Sequence, residues 1–285
     1  MRRIKINHVT RYQYPQEVNL LPHTAHLRPR EGHDIRVESS RLDITPAFTI
    51  RWQRDVHGNS VAMIEFTEPS NTLTISSEVV VENYAEQPLA FDLAANARQF
   101  PFHYDPLEQI DLLAYQIAVF AQDYPTVRDW IADTCRVGQL VDTIELLETI
   151  NHKINDTLEY RVREQPGVQS PAVTLQQGNG SCRDFATLFI EVCRYCGLAS
   201  RFVSGYLVSA PQPDQTGATH AWAEVYLPGS GWRGFDPTTG ALVSGDHIAV
   251  AVHRHPEAIP PVRGKFVGPA SPLPEMNVEV SVQQL

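Results

Sequence analysis

Up to about residue 81, apolar and polar positions alternate in short runs. Ile4, Ile6 and His8 lead into residues 9–14, and Thr24, His26, Leu27 and Arg28 form a second stretch. Ile35, Val37, Leu42 and Ile44 follow, then Phe48, Ile50 and Trp52, residues 61–66 and residues 73–81. Turn residues punctuate the runs at Pro15, Pro22, Glu31-Gly32, Pro46, His57-Gly58-Asn59 and Glu68-Pro69-Ser70. Alternation puts every second side chain on one face, so five to seven strands of this length predict an antiparallel sandwich or meander. The clearest hairpin joins 48–54 to 60–66 through Asp55-Val56-His57-Gly58-Asn59.

After Asn83 the period lengthens. Residues 86–105 read as a packed linker, with Phe91, Phe100, Pro101 and Phe102 in its apolar part. A helix is predicted over 107–120, with Leu112, Leu113, Ile117 and Phe120 along one side. Thr126 is placed to cap a second helix running to Arg136, and 140–155 carries Leu140, Ile144, Leu147 and Ile150 at helical spacing. Residues 161–180, rich in proline and glycine, predict mostly loop, which delivers the chain to an apolar helical pattern beginning at Cys182. Strands are predicted over 201–208, 221–227, 232–235 and 248–253, then a proline-rich strap over 256–274 and a terminal strand over 276–282. The plan is α+β: a β domain over 1–85, then 86–285 with helices first and sheet second.

Composition narrows the function. The 285 residues are 42% apolar, as in a globular protein, and carry a formal charge of −10 with no basic run, so a nucleic-acid partner is not expected. No leader pattern and no apolar run of about 20 residues is present, which predicts a cytoplasmic protein without a membrane partner. Cys135, Cys182, Cys193 and Cys196 read as reduced thiols rather than a disulfide framework. Cys193 and Cys196 have the spacing of half a zinc knuckle, but they sit in a helical pattern with no second pair, so no metal is expected.

Three residues stand in settings that suit chemistry. Cys182 follows the Gly-containing turn Asn179-Gly180-Ser181 and opens a helix, where first-turn N–H groups favour a thiolate and can hold an oxyanion. A buried structural cysteine is the plain alternative. His220 enters a strand with Trp222 and Glu224 on its own face, which should border a cleft; a surface histidine is the plain alternative. Asp236 ends the short strand before Pro237, where it either orients the imidazole or simply starts a turn. Gln176 and Gln177, six and five residues before Cys182, are candidates for an oxyanion donor; Trp222 and Tyr206 are candidates for cleft walls. Asp184, in the first helical turn, suits a structural role beside Arg183 or Arg201.

The segments Gly180-Ser181-Cys182-Arg183-Asp184-Phe185-Ala186, 199–206, His220-Ala221-Trp222-Ala223-Glu224-Val225 and Gly231-Trp232-Arg233-Gly234-Phe235-Asp236-Pro237-Thr238 resemble the core of the bacterial transglutaminase-like superfamily. The region near His8, Thr10 and Tyr12 is similar to the N-terminal region of its bacterial members. The resemblance implies a papain-like catalytic core preceded by an antiparallel β-sandwich-like domain, with Cys182 as nucleophile, His220 as base and Asp236 as orienting acid. It also implies thiol attack on a peptide, protein or small amide substrate without a cofactor, and an acyl-enzyme. Amide hydrolysis leads; acyl transfer from protein glutamine to an amine and a noncatalytic interaction module are the alternatives. The absence of an Asp-x-Asx-x-Asx-Gly loop or an acidic run disfavours calcium activation.

Overall fold

The computed structural model describes residues 1–84, 92–134, 140–208, 219–268 and 273–285. The chain opens with a single strand, Arg2–Leu20, whose even-numbered residues Ile4, Ile6, His8, Thr10, Tyr14, Val18 and Leu20 are buried. Pro15 does not turn the chain. The register shifts between Gln13 and Val18 instead, because a residue without an N–H drops out of the ladder. Ser70–Asn83 pairs along one side of this strand and is itself flanked by Ile35–Thr45. Glu275–Gln284 pairs along the other side from Ile4↔Gln284 to Gln13↔Glu275.

Alternation alone leaves that terminal strand with the second half of the chain. In the fold it joins the first sheet, and Val280 and Val282 join Ile4 and Ile6 in one apolar cluster. Pairing covers an edge of the Arg2–Leu20 strand that would otherwise present unpaired backbone groups.

A second antiparallel sheet runs Val262–Arg263, His23–Ala25, Ser60–Phe66, Phe48–Arg54. Tyr14, Val18, Leu20, Ile44, Leu73 and Ile75 of the first sheet meet Ala25, Ala62 and Ile64 of the second in one core, as a sandwich-like unit requires. Residues 256–268 are not a plain extended strap: they contain a 3₁₀ turn at Pro256–Ala258 and the strands Val262–Arg263 and Phe266–Val267.

Among the described residues, five α-helices follow the first β unit: α1, Pro106–Gln116; α2, Tyr124–Ile131; α3, Thr143–Thr157; α4, Pro171–Gln177; and α5, Cys182–Tyr195. The first stops before Ile117 rather than reaching 120. The buried carboxylate of Glu191 accepts the N–H groups of Val119 and Phe120, which would otherwise extend the helix. Of its expected apolar side only Leu112 is buried, while Leu113 and Ile117 are exposed.

The third helix begins at Thr143 because the Asp142 carboxylate caps it, accepting from the N–H groups of Ile144 and Glu145. The fourth was expected as loop. Its signals are proline at the first turn and Gly178 at the end, with φ 66°, a conformation that glycine adopts without steric cost.

A five-stranded antiparallel sheet completes the second unit, in the order Ala241–Leu242, Gly231–Asp236, Thr219–Leu227, Ser200–Leu207, His247–His253. Phe185, Leu188, Phe189 and Val192 of α5 cover one side against Ala221, Ala223, Val225 and Phe235, with Phe189 stacked on Phe235 at 5.4 Å. On this sheet Tyr206, Ile248 and Val250 meet Ile4, Ile6, Val79 and Val81 of the N-terminal sheet. His8 and Tyr206 join across that junction, His8 Nδ1 to the phenol oxygen at 2.8 Å. Burial holds the His8 pKa down at about 4.

The 55–59 hairpin loop ties the units together a second time. Asn59, wholly buried, donates from Nδ2 to the Val252 carbonyl at 2.9 Å and accepts the Val252 N–H at Oδ1, also at 2.9 Å. Asn59→Ala should orphan both backbone groups at about 1–3 kcal/mol each. The expected result in urea unfolding is a lower midpoint with an unchanged slope; an unchanged midpoint would remove this contact from the account of domain docking.

Candidate active site

Cys182 is the first residue of α5 and is half-buried. The turn that aims it is organised by one carboxylate. Asp184, wholly buried, accepts from the Ser181 N–H at 2.8 Å, the Ser181 hydroxyl at 2.7 Å, the Gln169 N–H at 2.7 Å and the Arg163 guanidinium at 3.1 Å. The structural role expected for Asp184 is met, but by a partner other than those expected. Arg183 donates to the carbonyls of Arg163 and Gln165, and Arg201 pairs with Glu224 at 2.7 Å. A side chain at Gly180 would bring its Cβ within 2.9 Å of the Asp184 Cβ, so the turn closes only around glycine. First-turn N–H groups of a helix lack intrahelical acceptors, which leaves donors beside the sulfur.

His220 lies near the start of the strand Thr219–Leu227, and Asp236 ends the antiparallel neighbour Gly231–Asp236. His220 Nε2 donates to Asp236 Oδ2 at 2.8 Å. Cys182 and His220 line the same cavity, and with Nε2 engaged by Asp236, Nδ1 is the ring nitrogen left for the sulfur. Burial of the ring pushes the His220 pKa down, but the hydrogen bond to Asp236 and the negative charges of Asp236 and a Cys182 thiolate outweigh it and push it up to about 10.

Asp236 is wholly buried. Burial opposes its charge, yet hydrogen bonds from His220 and His247 hold its carboxyl well below the usual carboxylate range. It also accepts the Thr239 hydroxyl at Oδ2, 3.1 Å, and the Thr238 N–H at Oδ1, 3.0 Å, so Asp236 serves the turn as well as the imidazole.

His247 escaped the sequence reading. It stands eleven residues beyond Asp236 and carries no motif of its own; only the pairing of His247–His253 beside Ser200–Leu207 brings it to the site. Its Nε2 lies 3.2 Å from Asp236 Oδ2, and its Nδ1 accepts the Ser244 N–H at 3.3 Å. A nitrogen that accepts cannot carry the proton, so the ring is the Nε2–H tautomer and donates to Asp236.

The liganding atoms of His220, Asp236 and His247 lie within 4.8 Å of one another, a spacing that a metal ion also accepts. A metal on His247 Nε2 would move its proton to Nδ1, against the Ser244 N–H. Hydrogen bonding fits this cluster better than coordination does.

A cavity of about 680 Å³ opens on Cys182 and His220. Val162, Pro166 and Val168 form one wall, and Ile259, Pro260 and Pro261 of the segment leading to Val262–Arg263 contribute another. The wall candidates are corrected: neither Trp222 nor Tyr206 lines it. Trp222 is buried behind the site with its ring 5.2 Å from that of His247, and Tyr206 is buried at the domain junction. Trp222 packs with Val203 and Val252, and Tyr206 packs with the N-terminal sheet; a sequence reveals neither cover.

Gln176 and Gln177 are exposed at the end of α4, outside the cavity lining, and the Gln177 amide pairs with that of Gln169 at 2.9 Å. Their offset from Cys182 suits a loop, whereas helix formation turns them away. Cys193 is buried in the α5 core, where burial pushes its thiol pKa up, and Cys196 caps the helix end; Cys135 lies outside the described residues.

Comparison with known proteins agrees with this architecture. The family described as bacterial transglutaminase-like N-terminal region matches residues 4–82, and the transglutaminase-like superfamily matches residues 131–237. An uncharacterized protein of Mycobacterium tuberculosis is 30% identical over 276 residues, covering 92% of this chain and 87% of that one. One of Mycobacterium leprae is 25% identical over 289 residues and 99% of each chain.

Among solved structures, a Cytophaga hutchinsonii protein provisionally labelled a cysteine protease has the same fold, with 19% identity, TM-score 0.74 and coverage of 100% of this chain and 91% of that one. The periplasmic domain of TgpA from Pseudomonas aeruginosa also matches, at 14% identity, TM-score 0.38 and coverage of 82% and 90%. The cytoplasmic expectation is withdrawn, because it rested on the absence of a leader pattern and of a long apolar run, and an absence assigns no compartment. No described helix is long and apolar enough to cross a membrane, which by itself assigns no compartment. The chain belongs to the transglutaminase-like superfamily and carries the N-terminal β region of its bacterial members.

Proposed function

We propose that the protein is a cysteine-dependent amidohydrolase that cleaves an amide, peptide or isopeptide bond through an acyl-enzyme on Cys182. The observation that supports this reading is that Cys182 and His220 line one cavity while His220 is bonded from behind to the buried Asp236 carboxylate. His220 Nδ1 holds the proton given up by the thiol, and the resulting thiolate attacks the amide carbonyl. The oxyanion that forms is held by N–H groups at the start of α5. The imidazolium then gives its proton to the departing amine, the C–N bond breaks, and water activated by His220 releases the acid and the thiol. Asp236 keeps its charge throughout and stabilises the imidazolium. The apolar walls at Val162, Val168, Ile259 and Pro260 suit a substrate with apolar bulk beside the cleaved bond.

Three measurements test this. Cys182→Ala should lose hydrolysis of a fluorogenic peptide amide library by at least about 10²-fold while keeping the thermal midpoint; retained turnover would exclude the thiol. Iodoacetamide should modify Cys182 much faster than the other cysteines. Because His220 stays protonated up to about 10 beside the sulfur, that rate should persist below the roughly 8.5 of a free thiol. His220→Ala should remove the low-pH rate; equal profiles in both proteins would sink the pairing. Asp236→Asn keeps an oxygen for the Thr238 N–H but removes the charge, so kcat should fall about 10²-fold or more with the fold intact. Unfolding of this variant with normal activity in the folded fraction would leave Asp236 only its turn.

A further inference from the structure

We propose that His247 is a positioning residue for this site, a neutral second donor that holds the Asp236 carboxylate in line with His220. The inference rests on the amidohydrolase reading above.

The geometry is specific. Asp236 Oδ2 receives three donors: His220 Nε2 at 2.8 Å, Thr239 Oγ1 at 3.1 Å and His247 Nε2 at 3.2 Å. His247 is buried and does not line the cavity, so it acts through Asp236 and not on the substrate. Its ring is fixed from both ends. The Ser244 N–H holds Nδ1, and the Trp222 ring packs against it in a T-shaped contact at 5.2 Å.

A wholly buried carboxylate needs several donors to stay ionised. A cation in the place of His247 would spend the negative charge that the His220 imidazolium requires. A neutral imidazole donating one N–H stabilises the carboxylate, fixes its rotation and leaves its charge for His220. Nearby titratable and charged groups include Cys182, Tyr160 and Arg183; Cys182 and Arg183, with Asp236 itself, act electrostatically on Tyr160. None of these donates to Asp236, and the remaining donors are Thr239 and the Thr238 backbone.

The test compares wild type, His247→Ala, His247→Gln and His220→Ala. Each is followed by the iodoacetamide rate at Cys182 from pH 5 to 9.5 and by kcat and KM on the peptide amide that wild type cleaves. His247→Ala should lose about 10-fold or more of the probe rate at pH 6 while keeping the rate at pH 9, and should lower kcat with KM unchanged. His247→Gln, whose amide N–H can replace Nε2–H, should restore most of both. A His247→Ala profile that overlays wild type overturns the proposal. So does equal loss in the Ala and Gln variants at every pH with a lowered thermal midpoint, which is the mark of a packing role.

Failure of the underlying reading looks different: wild type itself would then match His220→Ala. One measurement needs no variant. Long-range ¹H–¹⁵N spectra of the wild type at pH 7 should show His247 as the Nε2–H tautomer, and the Nδ1–H tautomer overturns the assignment.

Discussion

The site depends on keeping one buried carboxylate charged. Asp236 has no contact with water, and an isolated carboxylate in that position would protonate rather than remain an anion. Four donors hold it instead, two of them histidines from different strands. The requirement propagates outward. Gly231–Asp236 must lie beside Thr219–Leu227, and His247–His253 must be brought round to the same end of the sheet. The ring of His220 is then held by Asp236 without needing a rigid loop of its own.

Asp184 does the same for the sulfur. Its carboxylate gathers Ser181, Gln169 and Arg163, so the turn before α5, the segment before α4 and the loop around Arg163 meet at one anion. Both anions are buried, and breaking either set leaves a charge without compensation, which costs far more than the loss of a surface ion pair. This accounts for two of the polar clusters buried at the centre of the domain.

The N-terminal β unit takes part in the site at one remove. Its first sheet packs against Tyr206, Ile248 and Val250, and Asn59 grips the backbone of Val252. The segment from Pro256 to Pro261 lines the cavity just before Val262–Arg263 pairs with His23–Ala25. One cavity wall is thus anchored in the N-terminal unit, so a change in that unit bears on the cavity without touching Cys182.

Alternation in the first 83 residues made the β unit legible, down to the hairpin Phe48–Arg54 and Ser60–Phe66, since period-two burial is a local property. The spacing of Cys182, His220 and Asp236 was legible because each sits at an element end that its neighbours announce: a glycine turn, a strand entry, a proline stop. The sequence alone thus determined most of the element types and the order of the chemical groups.

Tertiary structure decided the rest. It carried Glu275–Gln284 back to the first strand, made α4 from a segment that composition reads as loop, and buried Tyr206 and Trp222 away from the cavity. It also set His247 on the carboxylate. Each of these turns on a partner distant along the chain, and pairing between distant segments follows from which surfaces meet in space, a quantity that no local pattern of residues contains.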